Sequence, residues 1–213
     1  MENRVPAVRL HHVINISASI ICALFAYIGI QKIVKSPSLG IETLPDFAWF
    51  LRNSSVTLLF LIRRPAKAGS RQVHEWLVAF VGTYIGFLYQ PHAPSLISSH
   101  HLIPIYPVMV MSAALTVAAI MSLGRSFGVV PANRGVRTNG LYSIVRHPIY
   151  ACYMLFDIAF ITVRFSWFNL LIFSTFCLAL YLRGVYEERF LRTDPAYRDY
   201  ANRIRYMFLP GII

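Results

Sequence analysis

Six long apolar runs divide this chain, a pattern that constrains it to a multi-pass membrane protein. They fall at about 13–30, 47–62, 73–89, 104–123, 149–163 and 167–186. Each approaches the roughly 20 residues that a bilayer-spanning helix needs, the second and fifth being short. Charged residues fill only 14% of the 213 positions, against roughly 25% in soluble domains. The expectation is an all-α integral membrane protein with about six (five to six) transmembrane helices in a single domain over 1–213, ending in a cytoplasmic interfacial helix.

The net charge of +11 admits two partners, nucleic acid or a membrane. The positions of the cations decide between them. Arg4 and Arg9 precede the first run; Arg63, Arg64, Lys67 and Arg71 link the second to the third. Arg125, Arg134, Arg137 and Arg146 lie between the fourth and fifth, and Arg183, Arg189, Arg192, Arg198, Arg203 and Arg205 follow or close the sixth. Only Lys32, Lys35, Arg52 and Arg164 fall on the other side. The positive-inside rule then places both termini and the 124–148 connection in the cytoplasm. The cations serve topology and attract anionic lipid, so nucleic acid is not the partner.

Several signals carry no chemistry. Cys22, Cys152 and Cys177 are scattered through apolar segments without paired spacing, as small buried side chains are. His92, His100 and His101 share one outer loop with no zinc-type spacing and no neighbouring carboxylate or cysteine, so no metal is expected. The first run is long for a signal peptide, and Ala23 and Ala26 do not form a small-x-small cleavage site. Neither a Gly-x-Gly-x-x-Gly turn nor a phosphate-binding loop is present, so any cofactor must sit among the membrane helices and their connections.

The polar stretch 135–151 stands out against this background. Asn139-Gly140 is a turn signal, because both residues tolerate positive φ. Arg146-His147-Pro148 follows: Pro148 keeps His147 out of helical geometry and suits the first position of the helix behind it. Arg146 and His147 are thereby expected at a helix mouth whose partial positive charge adds to the guanidinium. Downstream, Glu187 and Glu188 are two of only nine acidic residues. They can pair along the helix with Arg183 and Arg192 at i,i+4, or one can turn inward to a cofactor cation or to Arg146. Asp194-Pro195 then reads as an N-cap and first helical position, starting a helix to about residue 206 with Tyr197, Tyr200 and Ile204 on one face.

A basic mouth with Tyr142 and Tyr150 and an acidic helix end followed by tyrosines would together suit S-adenosyl-L-methionine, which carries a carboxylate, an ammonium and a sulfonium. The runs Thr138-Asn139-Gly140-Leu141-Tyr142, Val145-Arg146-His147-Pro148-Ile149-Tyr150, Glu187-Glu188 and Tyr197-Arg198-Asp199-Tyr200 resemble the isoprenylcysteine carboxyl methyltransferase family. Phospholipid N-methyltransferases share its superfamily. The likeness covers about 122–213. It implies a helical membrane methyltransferase that binds S-adenosyl-L-methionine between the Arg-His-Pro loop and the Glu-Glu helix end. His147, Tyr150, Glu187 and Glu188 would lie around the cofactor, with Gly140, Tyr142, Pro148, Tyr197 and Tyr200 completing its site. Arg146 would face the acceptor and, with Glu188, form the catalytic pair.

The chain departs from the family pattern at Cys152, where glycine is common, at Thr193-Asp194-Pro195, in place of Phe-Gly, and at Tyr186, in place of a further glutamate. A carboxylate acceptor is ionised at neutral pH and needs no base, whereas an amine acceptor needs one, which His147 or a glutamate could supply. Isoprenoid carboxylates and phospholipid amines both remain open, as do an NADPH-dependent sterol-reductase-like enzyme and a non-enzymatic membrane protein. In the first two cases the acceptor is lipophilic and enters sideways between helices.

Overall fold

The structure is a computed structural model that describes residues 5–35, 40, 43–62, 68–70, 72–90, 93 and 103–211. The outer-loop histidines His92, His100 and His101, the basic residues Arg4, Arg63, Arg64, Lys67 and Arg71, and the turn at 36–39 lie outside the described residues, as do the side chains of Arg9, Lys32 and Arg52.

Among the described residues seven α-helices follow one another: α1 (Val5–Val34), α2 (Leu44–Ile62), α3 (Val73–Tyr84), α4 (Ile105–Leu123), α5 (Pro148–Val163), α6 (Trp167–Leu191) and α7 (Pro195–Arg203). The apolar runs become helices because nothing in them competes with intrahelical hydrogen bonding. Their ends are set by turn chemistry. Pro148 opens α5; Ser166 caps α6 by accepting from the Asn169 amide; Asp194 caps α7 by accepting from the Ala196 amide, with Pro195 in the first turn. A pair of two-residue strands, β1 (Ala68–Gly69) and β2 (Ala132–Asn133), runs antiparallel and has no counterpart in the sequence reading.

Two of the helices, α4 with its following turn to Ser126 and α6, are long and apolar enough to cross a membrane; α3 with its extension to Leu88, α5 and the 16–31 part of α1 are shorter apolar helices. Among the described residues, two of the roughly six expected spans therefore combine the length and the apolarity of a membrane-crossing helix. The 16 residues of α5 rise about 24 Å, below the ~30 Å hydrocarbon thickness.

Cross-links between elements sort the helix ends. Arg125, just after α4, donates from Nε to the Ile62 carbonyl at the end of α2 (2.9 Å). The Ser70 amide, ahead of α3, bonds the Pro131 carbonyl (2.9 Å). Arg146, ahead of α5, reaches Glu188 near the end of α6. These ends share one side of the bundle. At the other side, Asn169 accepts from the Gln90 amide (2.8 Å) and donates to the carbonyls of Gln90 (3.1 Å) and Arg164 (2.7 Å), joining the ends of α3 and α5 to the start of α6. Asn169 is fully buried, so Asn169→Ala leaves backbone groups unpartnered. It is expected to cost about 2–3 kcal/mol, read as a lowered midpoint of thermal unfolding in detergent.

Small residues bring the helices together, as they do where lipid supplies no hydrophobic drive. A Cβ on Gly82 of α3 would meet the Ala179 Cβ of α6 at 3.5 Å. Ala113, Ala119 and Ala159 are buried between α4, α5 and their neighbours. Ser112 and Thr116 are buried too, their hydroxyls returned to the carbonyls of Met109 and Ser112. Ile20, Leu61, Leu77, Leu171 and Leu178 point outward instead, each more than half exposed. Apolar side chains outside, with the Ser112 and Thr116 hydroxyls bonded within their own helix, is the arrangement a lipid solvent favours.

Candidate active site

The site end of the bundle gathers residues from four stretches. The 3-10 turn Gly140–Ser143 is set by Gly140, whose φ of +61° is a left-handed conformation. A Cβ there would also overlap the Ser122 hydroxyl and lie 3.0 Å from the Ser122 Cβ. Gly140 therefore shapes the turn that presents Tyr142; its own atoms do not line the cavity. Gly140→Ala is expected to cost about 1–2 kcal/mol from the conformation alone, visible as reduced thermal stability.

Behind the turn, Arg146 and His147 sit as expected at the mouth of α5, but their amides are not open to an anion. They donate to the carbonyls of Tyr206 (3.0 Å) and Met207 (2.8 Å) in the C-terminal tail. The Arg146 guanidinium bonds Glu188 Oε1 through Nε and the carbonyls of Ile204 (2.8 Å) and Arg205 (2.5 Å) through Nη1. The helix ion pairs form as well: Arg183 to Glu187 (3.3 Å) and Arg192 to Glu188 (3.1 Å). The two readings of the glutamates are compatible, because Glu188 spends one oxygen on Arg146 and the other on Arg192.

The two acids differ in their surroundings. Glu188 is buried, saturated by the two arginines, and receives a further long bond from the Tyr197 hydroxyl (3.4 Å). It is absent from the cavity wall. Glu187 lies on that wall, accepting from the Tyr150 hydroxyl (2.7 Å) and Arg183 Nε. His147 stands between the acids, Nδ1 3.6 Å from Glu187 and Nε2 3.5 Å from Glu188, distances too long for strong hydrogen bonds. Its ring stacks on Tyr150 with centroids 5.3 Å apart.

One cavity unites this cluster. Tyr142, Arg146, His147, Tyr150, Glu187, Tyr197 and Tyr200 line it; Gly140, Pro148 and Glu188 stand behind the wall. The Tyr200 hydroxyl holds the 3-10 turn by donating to the Tyr142 carbonyl (2.8 Å). Burial raises the hydroxyl pKa of Tyr142, Tyr197 and Tyr200 above its ordinary value, and carboxylates nearby push Tyr142 and Tyr197 further the same way, so all three stay neutral near pH 7.

Three further cations, Arg134, Arg137 and Arg183, join the wall, none marked by the sequence as part of a site. Arg183 is buried, with the guanidinium 5.1 Å from the centre of the Tyr150 ring, and donates to the Gly128 carbonyl (2.8 Å) and the Thr83 hydroxyl (3.2 Å) of α3. Arg134 follows β2. Its pKa is lowered by burial, with Glu187 pulling the other way. Gly128 makes room for it, since a Cβ at that position would overlap the Arg134 guanidinium. In the sequence Arg134 is one loop cation among several, and no local pattern distinguishes it. Among the described residues no group of His, Cys, Asp and Glu could hold a metal ion.

The arrangement presents one carboxylate, four guanidinium groups (Arg134, Arg137, Arg146 and Arg183), an imidazole and tyrosine faces to a cavity that also reaches apolar residues of α1 and α2, Cys22 and Val56. Residues 104–193 match the family described as the isoprenylcysteine carboxyl methyltransferase family. The matched segment begins just ahead of α4 and ends just behind α6, and it contains both the Arg-His-Pro turn and the two glutamates. The match is consistent with membership of that family and supports a membrane methyltransferase of that kind. Among curated proteins none matches the chain.

Proposed function

We propose that this chain is an S-adenosyl-L-methionine-dependent methyltransferase of the membrane, acting on the carboxylate of an isoprenylcysteine-like or other lipophilic acceptor. The observation that carries the reading is the bond from Arg146 to Glu188, more than 40 positions away in the chain, directly behind a cavity whose wall holds Arg146 and Glu187. The residues present fit such a donor. Glu187 suits its ammonium or sulfonium, Arg134 and Arg183 suit its carboxylate, and Tyr142, Tyr197 and Tyr200 offer aromatic faces for the cation and the adenine. We place all of 1–213 in one domain of about six membrane helices, with the termini and the site on the cytoplasmic side, where its cations are gathered.

The chemistry such a donor supplies when bound is a methyl group on a sulfonium, transferred so that an ester forms and a neutral thioether leaves. The chain's share is placement and exclusion of water. A carboxylate acceptor brings its own negative charge, so no residue has to remove a proton. It must be desolvated and aligned, which the buried wall and the guanidinium of Arg146 would do. A second reading, amine methylation, has one observation in its favour: His147 Nε2 is buried without a hydrogen bond and could accept a proton. Calorimetric titration of the purified chain tests donor use. Binding of S-adenosylhomocysteine without binding of NADPH is expected; the reverse would favour a reductase.

A further inference from the structure

The segment from Ile204 to Phe208 follows α7 and lies outside the matched family segment. Its carbonyls are engaged in succession. Arg146 Nη1 bonds those of Ile204 and Arg205, the Arg146 amide bonds that of Tyr206, and the His147 amide bonds that of Met207. Two residues of the Arg-His-Pro turn thus bind four consecutive tail carbonyls. Met207 and Phe208 are both buried. They press on Gly184 of α6, where a Cβ would lie 2.5 Å from the Met207 methyl and 3.0 Å from Phe208 Cζ. The Phe208 ring lies 5.8 Å from that of His147 and 6.4 Å from those of Tyr150 and Tyr181.

We infer that residues 204–208 form a strap that positions the acceptor side of the site, with Met207 and Phe208 as positioning residues and Gly184 as the clearance that seats them. The guanidinium is planar, and its bonds are directional. Glu188 fixes Nε and the strap fixes Nη1, which leaves Nη2 outside these bonds and in a defined place. That edge is the one open to an acceptor anion. Phe208 packs beside the His147 ring, which Tyr150 already stacks on, so the same strap limits where the imidazole can lie. Glu187, which would face the donor, is held by Tyr150 and Arg183 instead of by the strap, and only Ile204, at the start of the strap, packs against the Tyr197 and Tyr200 cluster among the contacts described. The inference rests on the reading of function above and assigns the strap to one of its two ligands.

Gly184→Val and Phe208→Ala, each in the full-length chain, test it by two readouts. Amide hydrogen exchange at Arg146 and His147 should speed up in both variants, because those amides bond the strap. The KM for a prenylcysteine acceptor should rise by about tenfold, while the Kd for S-adenosylhomocysteine should change less than about threefold, since only acceptor contacts are loosened. A purely structural role would lower the active fraction and leave both constants alone. Unchanged exchange, or faster exchange with an unchanged acceptor KM, overturns the inference. If the unaltered chain transferred no methyl group, the reading of the reaction would fall with it, while the exchange data would still judge whether the strap holds the turn.

Discussion

Arg146→Met is expected to remove methyl transfer almost entirely, by a factor of about 10²–10³ in kcat/KM, the range seen when a preorganised electrostatic donor is deleted from an active site. The same change leaves the buried Glu188 with its helix partner Arg192, which is about half exposed, as its remaining cation, and should destabilise the fold by about 3 kcal/mol. The two effects can be separated. Replacing both members, Arg146→Met with Glu188→Met, removes the uncompensated charge and should recover most of the stability while leaving the enzyme inactive. Arg146→Lys keeps a charge but not the fork that reaches Glu188 and two carbonyls at once, so it should fall well short of the parent. Thermal unfolding and radiolabelled transfer on the same preparations decide the matter. A well-folded double variant with full activity would make Arg146 structural only.

Glu187→Gln should be nearly as costly, and through the donor. The side chain faces the cavity beside Arg183, whose guanidinium is buried. Without the carboxylate the cavity wall would hold four guanidinium groups and no anion, a poor setting for the sulfonium of the proposed donor. The expected loss of S-adenosylhomocysteine affinity is at least about tenfold, from a charge contact of about 1.5 kcal/mol or more in a partly buried setting. Glu187→Asp retains the charge on a shorter arm and should keep measurable binding. Calorimetry on both variants checks this; equal binding by Glu187→Gln and the parent would remove Glu187 from the donor site.

What could be read from the sequence was local in origin. The apolar runs gave helices, Asp194-Pro195 gave the start of α7, and the i,i+4 spacing gave both ion pairs of α6. Helix ends were less legible. α6 runs on to Leu191, beyond the apolar limit at Tyr186, because Arg183, Glu187, Glu188 and Arg192 pair along it and keep a polar helix satisfied. α7 stops at Arg203, short of the expected end near residue 206, because the next carbonyls bond Arg146 and His147. The functional difference between Glu187 and Glu188 was not legible, since neighbours on a helix point about 100° apart and only the packing says which way is inward. Arg134 was visible only as a topology charge and Arg183 only as that and as a helix ion-pair partner, for burial, not sequence context, makes them part of the wall. Irregular backbone pairing such as that of β1 with β2, or of the tail with the Arg-His-Pro turn, leaves no periodicity to find.

The measurement that bears most directly on the central claim is transfer of a radiolabelled methyl group from S-adenosyl-L-methionine to a membrane lipid extract or a prenylcysteine by the purified chain. The account predicts label that mild base releases as methanol, the mark of a carboxyl ester, and its loss in Arg146→Met. Base-stable label on an amine lipid, or no label at all from a protein that binds S-adenosylhomocysteine, would contradict it.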